Sequence, residues 1–391
     1  MVPEFYQFHC PTKVVFGVGL ARDFSSELAS LGIRRFLVVT DKVLVGNGLV
    51  APIIEGIKKT GFEVVGIFSE IPPNSELTIV KNCASQAKEL GAEGFIAIGG
   101  GSPIDTAKAA NILFTLGGDL VGDYSGAQTI SVPLSPLVAI PTTAGTGSEV
   151  SSAAVVLNEA EHTKLSFVDS HLYPTLALLD PELTITLPPR LTAATGMDAL
   201  THAIESYVSN QKNPVSDALA LEAIRLIHRY LVGAVEDGKD REARSGMITA
   251  SMLAGQAFDH AMVGVVHGMA HALGGLTGIH HGTANSIFLP WGMEYNLEAR
   301  TEEYAEIGRI LVGWNQESSD IKMAHAAIEE VVGLREKLQK LSGLPFRLRD
   351  AGVKEDLLGA IAEGAVDDGT SFYNPREVVK EEILKQVKKA Y

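Results

Sequence analysis

Apolar, β-branched runs alternate with amphipathic helical stretches up to two adjacent prolines, Pro188 and Pro189, and beyond them nearly every segment has helical periodicity alone. No other feature limits the fold as much. Before the prolines, TKVVFG, RRFLVVTD, FEVVGIF, EGFIAIGGG and LVAIPTTAG read as strands bounded by turns. Between them, DFSSELASLG, LVAPIIEGIKKTG and ELTIVKNCASQAKELG read as helices, several closed by a C-terminal glycine. Near-continuous apolar strands separated by helices predict a mainly parallel sheet covered on both faces, with ligand crevices at the carboxyl ends of its strands. After the prolines, LTAATGMDALTHAIESYV, PVSDALALEAIRLIHRYLVGAV, REARSGMITASMLAGQAF, MAHAAIEEVVGLREKLQKL and REVVKEEILKQVKKAY predict an all-α domain. At 391 residues the chain exceeds the size at which one core keeps growing. The expected organisation is an α/β domain over 1–187 and an all-helical domain over 188–391.

Charge and cysteine content narrow the function. A formal net charge of −15, with both signs interspersed, offers no basic field for a phosphate backbone, so nucleic-acid binding is not expected. Cys10 and Cys83 have no metal or redox spacing, and MVPEFYQFHCPTKVV lacks the layout of a signal peptide; a reducing cytoplasm is the expected location. The most apolar long region, SMLAGQAFDHAMVGVVHGMAHALGGL, carries Asp259 and several histidines and reads as a buried core helix, not a membrane span.

FIAIGGGSPIDTAKAANIL puts Gly99, Gly100 and Gly101 at a strand end, with Ser102 expected as N-cap and Pro103 at the first helical position. Backbone N–H groups there can meet a pyrophosphate at a helix N-terminus, although such a turn also serves as structure alone. In the usual dinucleotide fingerprint the acid follows the glycines by about 20 residues. Here the acid, Asp41, comes earlier, at the end of FLVVTD. It either accepts from the adenosine ribose hydroxyls, which would favour NAD over NADP by repelling a 2′-phosphate, or caps the next helix. IPTTAGTGSEVSS adds Thr142, Thr143, Thr146, Ser148 and Ser151 to a glycine-bearing loop whose hydroxyls suit phosphate or carboxamide.

Asp198 stands four residues before His202 in GMDALTHAIES, so both project from one helical face, one turn apart, where two ligands can share an ion. GVVHGMAHALGGLTGIHHGTAN, residues 264–285, holds four of the eleven histidines. His267 and His271 are also four apart, and His280 and His281 follow a glycine-rich excursion able to return the chain toward the same centre. Asp198, His202 and two of these histidines would make one carboxylate and three imidazoles, a set suited to Fe²⁺ or Zn²⁺; spacing alone does not choose the two. An open coordination position would take a substrate oxygen. HGMAH lacks the glutamate of H-E-x-x-H, which removes the general base of a metalloprotease.

These residues resemble the iron-containing (group III) alcohol dehydrogenases along essentially the whole chain. The resemblance runs through TDK at 40–42, PPNSE at 72–76, GGGSPIDTAK at 99–108, PTTAGTGSEV at 141–150, ATGMDALTHAIE at 194–205, HGMAHALG at 267–274 and HHGTAN at 280–285. It implies a dehydroquinate synthase-like fold: an NAD(P)-binding α/β domain followed by an all-helical metal-binding catalytic domain, in chains paired as homodimers or higher homo-oligomers. The family's metal ligands fall on Asp198, His202, His267 and His281, for Fe²⁺ with Zn²⁺ as the alternative, and its further histidine near the nicotinamide falls on His271. The cofactor contacts fall on Asp41, Asn74, Gly99, Gly100, Gly101, Ser102, Asp105, Thr142, Thr143, Thr146 and Ser151, with Val155, Lys164 and Leu183 along the nicotinamide side. The implied chemistry is reversible hydride transfer between a small alcohol or diol and NAD(P), with a Lewis-acidic ion polarising the substrate oxygen.

Phe258 and the neighbouring AMVG suit an apolar substrate wall. His271 reads as a proton relay or as a packing histidine. His280 stands where relatives often carry proline and reads as a pocket residue or an exposed one. Glycerol and hydroxybutyrate dehydrogenases, and non-redox enzymes of the dehydroquinate synthase type, are the alternative readings. Glycerol dehydrogenases tend to lack a histidine matching His202, and dehydroquinate synthases use a different carboxylate, so the Asp198/His202 pair counts against both. A cofactor-binding sensor without turnover would have no reason to keep four converging ligands.

Overall fold

The computed structural model describes residues 3–72, 75–160, 163–313 and 318–391. The chain divides into two units: His9–Ile185, and Thr186–Tyr391 together with the N-terminal residues up to Phe8. The first is α/β. Its strands are β1 (Lys13–Phe16), β2 (Arg35–Val39), β3 (Glu63–Phe68), β4 (Gly94–Gly99), β5 (Gly126–Ala127), β6 (Leu137–Pro141), β7 (Ala153–Asn158), β8 (Thr163–Val168) and β9 (Leu176–Leu179). Six form one all-parallel sheet in the order β1-β9-β6-β4-β2-β3.

The apolar strand runs are explained by cover on both faces. Along β2, Phe36 and Val38 pack to one side with α1 (Val50–Lys59), while Leu37 and Val39 pack to the other with α2 (Leu77–Glu89) and α3 (Gly101–Leu116). Along β4, Ile96 and Ile98 alternate in the same way with Phe95 and Ala97. A smaller sheet, β5-β8-β7, is mixed: β7 and β8 run antiparallel, and β5 joins β8 in parallel. That hairpin departs from the uniform βαβ reading.

The second unit is helical: α4 (Pro189–Val208), α5 (Pro214–Glu236), α6 (Arg241–Ala261), α7 (Val265–Thr277), α8 (His281–Asn296), α9 (Thr301–Val312), α10 (Asp320–Ser342), α11 (Leu358–Asp367) and α12 (Lys380–Lys389). α4 is its centre, with every residue from Thr192 to Val208 buried. Such a helix is apolar or internally bonded all round, as a core helix must be.

The single core helix expected across residues 251–276 is in fact two. α6 stops at Ala261, Met262 adopts φ 64°, and α7 restarts at Val265. Met favours helix intrinsically, so the break is tertiary. The new N-terminus meets the Glu205 carboxylate from α4, which accepts from the Val266 and His267 N–H groups at 2.7 and 3.2 Å. An anion at that end also complements the helix dipole. α7 closes with Gly278 in the left-handed region, and α8 begins three residues later, so the glycine-rich excursion does turn the chain back. Among the described residues no helix is long and apolar enough to cross a membrane.

Candidate functional site

In the α/β unit the glycine turn sits at the C-terminal end of β4. Ser102 is not the cap: Gly100 is, α3 starts at Gly101, and Pro103 takes the third helical position, not the first. Gly99, at φ 156°, is what permits this, because a Cβ there would lie 2.5 Å from Pro103 Cγ. The turn closes against the loop after β6, where Thr142 N–H donates to the Gly99 carbonyl at 3.0 Å. Side chains on Gly100 and Gly101 would press on Thr143 and Thr146 at 3.3 and 3.1 Å, so the turn and the threonine loop form one small-residue surface.

Several residues expected to touch a cofactor have internal work here. Asp105 is half-buried and accepts from Ser148 Oγ at 2.5 Å and Val155 N–H at 3.1 Å. Burial pushes its carboxyl up, opposed by the charges of Lys108 and Lys164 and by those two hydrogen bonds. Lys108 Nζ donates to the Ser151 carbonyl and hydroxyl at 2.7 and 3.2 Å and to the Ala153 carbonyl at 2.8 Å. Asp105 is thus tied to Val155 and Ser148, and Lys108 to Ser151 and Ala153, with the charges of Lys108 and Lys164 both acting on Asp105. Asp41, two residues beyond β2, is the N-cap of the short helix Lys42–Gly46, its Oδ1 accepting from Leu44 N–H at 2.9 Å. Leu183 packs on the sheet face that carries Phe36 and Val38. Asn74 lies outside the described residues.

In the helical unit Asp198 and His202 of α4, His267 of α7 and His281 at the start of α8 converge, with one ligand atom from each lying within 4.8 Å of all the others. α8 reaches α4 closely because Gly282 has no side chain: a Cβ there would stand 2.3 Å from the Ala194 carbonyl oxygen, one turn before Asp198. The His202 and His267 rings stack at 4.7 Å, and Phe258 stacks on the other side of His202 at 4.5 Å. Phe258 thus walls a site imidazole.

His267 is neutral, because burial drives it down to about 3 against the opposing charge of Asp198. Its Nδ1 lies 2.6 Å from the Glu205 carboxyl, which burial pushes up to about 7 against the backbone N–H groups of Val266, Gly264 and His267; with Glu205 ionised, the proton sits on Nδ1 and Nε2 faces inward bare. One carboxylate and three imidazoles, held in a buried cluster with at least one ring fixed in the ligating tautomer, fit a divalent ion of intermediate hardness.

His271 lies beside the four. Its ring stacks on His281 at 5.3 Å, and its Nδ1 bonds Asp368 Oδ2 at 2.9 Å. Burial alone would raise the Asp368 carboxyl, but the hydrogen bond and charge of His271 and the Thr370 N–H and hydroxyl outweigh it, holding Asp368 below the usual carboxylate range. His280 is exposed at the N-cap of α8 and borders a cavity of about 200 Å³ with Arg190 and Thr283. Glu205, Asn285 and Asp368 escaped the sequence reading. Glu205 is three residues after His202 and Asn285 four after His281, so helical spacing could have found both. Asp368 is 97 positions from its partner, and nothing in the sequence signals it.

Two family models match the chain: "Iron-containing alcohol dehydrogenase" over residues 11–181 and "Fe-containing alcohol dehydrogenase family, C-terminal" over 192–391. The NAD-dependent methanol dehydrogenase of Bacillus methanolicus is 38% identical over 98% of this chain and 99% of its own. The 1,3-propanediol dehydrogenase of Klebsiella pneumoniae is 39% identical over 99% of each. A crystal structure of a 1,3-propanediol oxidoreductase superposes with a TM-score of 0.95 at 40% identity, covering 99% of this chain and all of that one.

Proposed function

Because this chain belongs to the iron-containing alcohol dehydrogenase family, and is therefore a metal-dependent oxidoreductase acting on alcohols with NAD, we propose that Asp198, His202, His267 and His281 hold Fe²⁺ and that the substrate is a short aliphatic alcohol or diol and its aldehyde. The observation that carries the reading is the convergence of those four donors in the helical unit. Zn²⁺ is the alternative occupant, since the same ligands take either ion. The small substrate is supported by the names of the methanol and 1,3-propanediol relatives. NAD in preference to NADP is supported by the Asp41 carboxylate two residues beyond β2, which would repel a 2′-phosphate. A cytoplasmic homodimer or higher homo-oligomer completes the proposal and rests on the family resemblance alone.

When bound, the ion supplies Lewis acidity toward the substrate oxygen, and the nicotinamide exchanges hydride with the substrate carbon. The protein's part is positional. Glu205 keeps the His267 proton on Nδ1, so the inward nitrogen stays a lone-pair donor. Phe258, stacked on His202, restrains that ring and presents apolar surface beside it. His271, tied at Nδ1 to ionised Asp368, takes and returns a proton at Nε2. The Gly99–Gly101 turn with Thr142, Thr143 and Thr146 offers backbone N–H groups and hydroxyls to the cofactor's phosphates.

The test is an assay of purified protein with NADH and NADPH against a panel of small aldehydes, with metal analysis on the same sample. Iron co-purifying with NADH-dependent reduction is expected, and His267→Ala is expected to lose metal and turnover together. Full activity in that variant would refute the ligand set.

A further inference from the structure

Three of the four converging residues also point their acceptor atoms at one neutral side chain. Asn285, fully buried on α8, has its Nδ2 at 2.7 Å from Asp198 Oδ1, 3.2 Å from His267 Nε2 and 3.1 Å from His281 Nε2. Its Oδ1 is buried and has no hydrogen-bond partner among the described residues. The orientation of the amide is dictated by its neighbours. A carboxylate only accepts, and His267 Nε2 is bare because Nδ1 carries the proton to Glu205, so turning the amide over would aim an oxygen at these acceptors. An amide nitrogen has two protons for these three acceptors, and its oxygen gains nothing on the far side.

We propose that Asn285 is a positioning residue of the metal centre: its amide draws the acceptor atoms of Asp198, His267 and His281 toward one point, and so sets how tightly and which divalent ions are held. The three acceptors come from α4, α7 and α8, and their lone pairs repel one another when brought together. The partial positive charge of the NH₂ group offsets that repulsion as a cation would. Its bond to Asp198 Oδ1 also draws charge from the one hard ligand, which biases the set away from hard ions. The proposal rests on reading the four residues as ligands.

The test is a titration of metal-stripped enzyme with Co²⁺ alone, followed by its visible absorption, and then by competition with Mn²⁺. Wild type, Asn285→Ala, Asn285→Asp and His267→Ala are compared. Asn285→Ala is expected to weaken Co²⁺ binding by about ten- to a hundredfold and to shift the absorption bands. Asn285→Asp, nearly isosteric, is expected to alter the spectrum and to raise the affinity for Mn²⁺ relative to Co²⁺, since it adds a hard oxygen donor. Wild-type affinity and spectrum in both Asn285 variants, with binding lost in His267→Ala, would overturn the role of Asn285 while leaving the ligand set standing. Wild-type binding in His267→Ala would overturn the ligand set itself. Should Asn285→Ala fail to fold, Asn285→Asp decides: an unchanged spectrum and an unchanged preference between the two ions overturn the proposal.

Discussion

Two acids, Asp368 half-buried and Glu149 buried, show how position alone decides what a carboxylate does. Asp368 is surrounded by donors and stays ionised, which fixes the proton of His271 on Nδ1. His271→Ala is therefore expected to remove one ionisation from the pH profile of kcat/KM and to lower its plateau on the order of a hundredfold. Asp368→Asn should lower the same plateau, because an amide no longer holds the imidazole proton on Nδ1. An unchanged profile in His271→Ala would leave His271 as packing only. Glu149, in the loop after β6, is the opposite case: burial pushes its carboxyl from 4.5 up to about 7, against a backbone N–H and the charge of Lys108. Below 4.5 both folded and unfolded chains hold the proton and there is no penalty. As pH rises toward 7 the unfolded chain releases it first, so stability falls, by up to about 3 kcal/mol above the folded value. Glu149→Gln should flatten the decline in Tm between about pH 5 and pH 8, and parallel declines in both proteins would remove Glu149 as its source. At this scale the nearness of Asp198 and His202 was legible because residues four apart share a helical face. Asp368 was not, because its pairing with His271 exists only once α7 and α11 pack.

Among elements, the approach of α8 to α4 rests on a missing methyl group. Gly282→Ala would drive a Cβ into the Ala194 carbonyl at 2.3 Å, and backbone cannot yield as a side chain does. The helices must separate, at a cost of at least about 1–3 kcal/mol, and His281 leaves Asp198. Gly275→Ala on α7 makes the same chemical change where nothing lies within 4 Å, and should stabilise by about 0.5–1 kcal/mol through helix propensity. Thermal melts and metal content of the two variants check this, and equal behaviour would show that propensity, not the close approach, governs Gly282. The parallel strands, their intervening helices and most of the helical unit were legible from periodicity. The break at Met262 was not, since a helix-favouring residue is held at φ 64° where the Glu205 carboxylate, delivered by α4, starts a new helix. Nor was the cap of α3: Ser102 has the better intrinsic preference, but the strand hands the chain over at Gly100, and glycine alone tolerates what Gly99 must do.

For the whole molecule, chemistry is divided between units that each have a core of their own, the six-stranded sheet in one and α4 in the other. The chain passes from the first unit to the second between Ile185 and Thr186, shortly before the proline pair, while nothing in residues 3–8 signals that they group with the helices, where the Phe8 ring stacks on His260 at 4.1 Å. A ligand that binds only the folded form stabilises by mass action, about 2.7 kcal/mol at a hundredfold excess over its dissociation constant. Because the proposed metal ligands all lie in α4, α7 and α8, adding Fe²⁺ or Co²⁺ to stripped protein should slow amide exchange in those three helices. NADH alone should instead protect the start of α3 and the loop after β6. Peptide-resolved hydrogen exchange with each ligand singly, followed by thermal melts, measures both effects. Two localised and different footprints are expected. Metal-dependent protection confined to the α3 turn, or NADH protection confined to α7 and α8, would mean that the two ligand chemistries have been assigned to the wrong units.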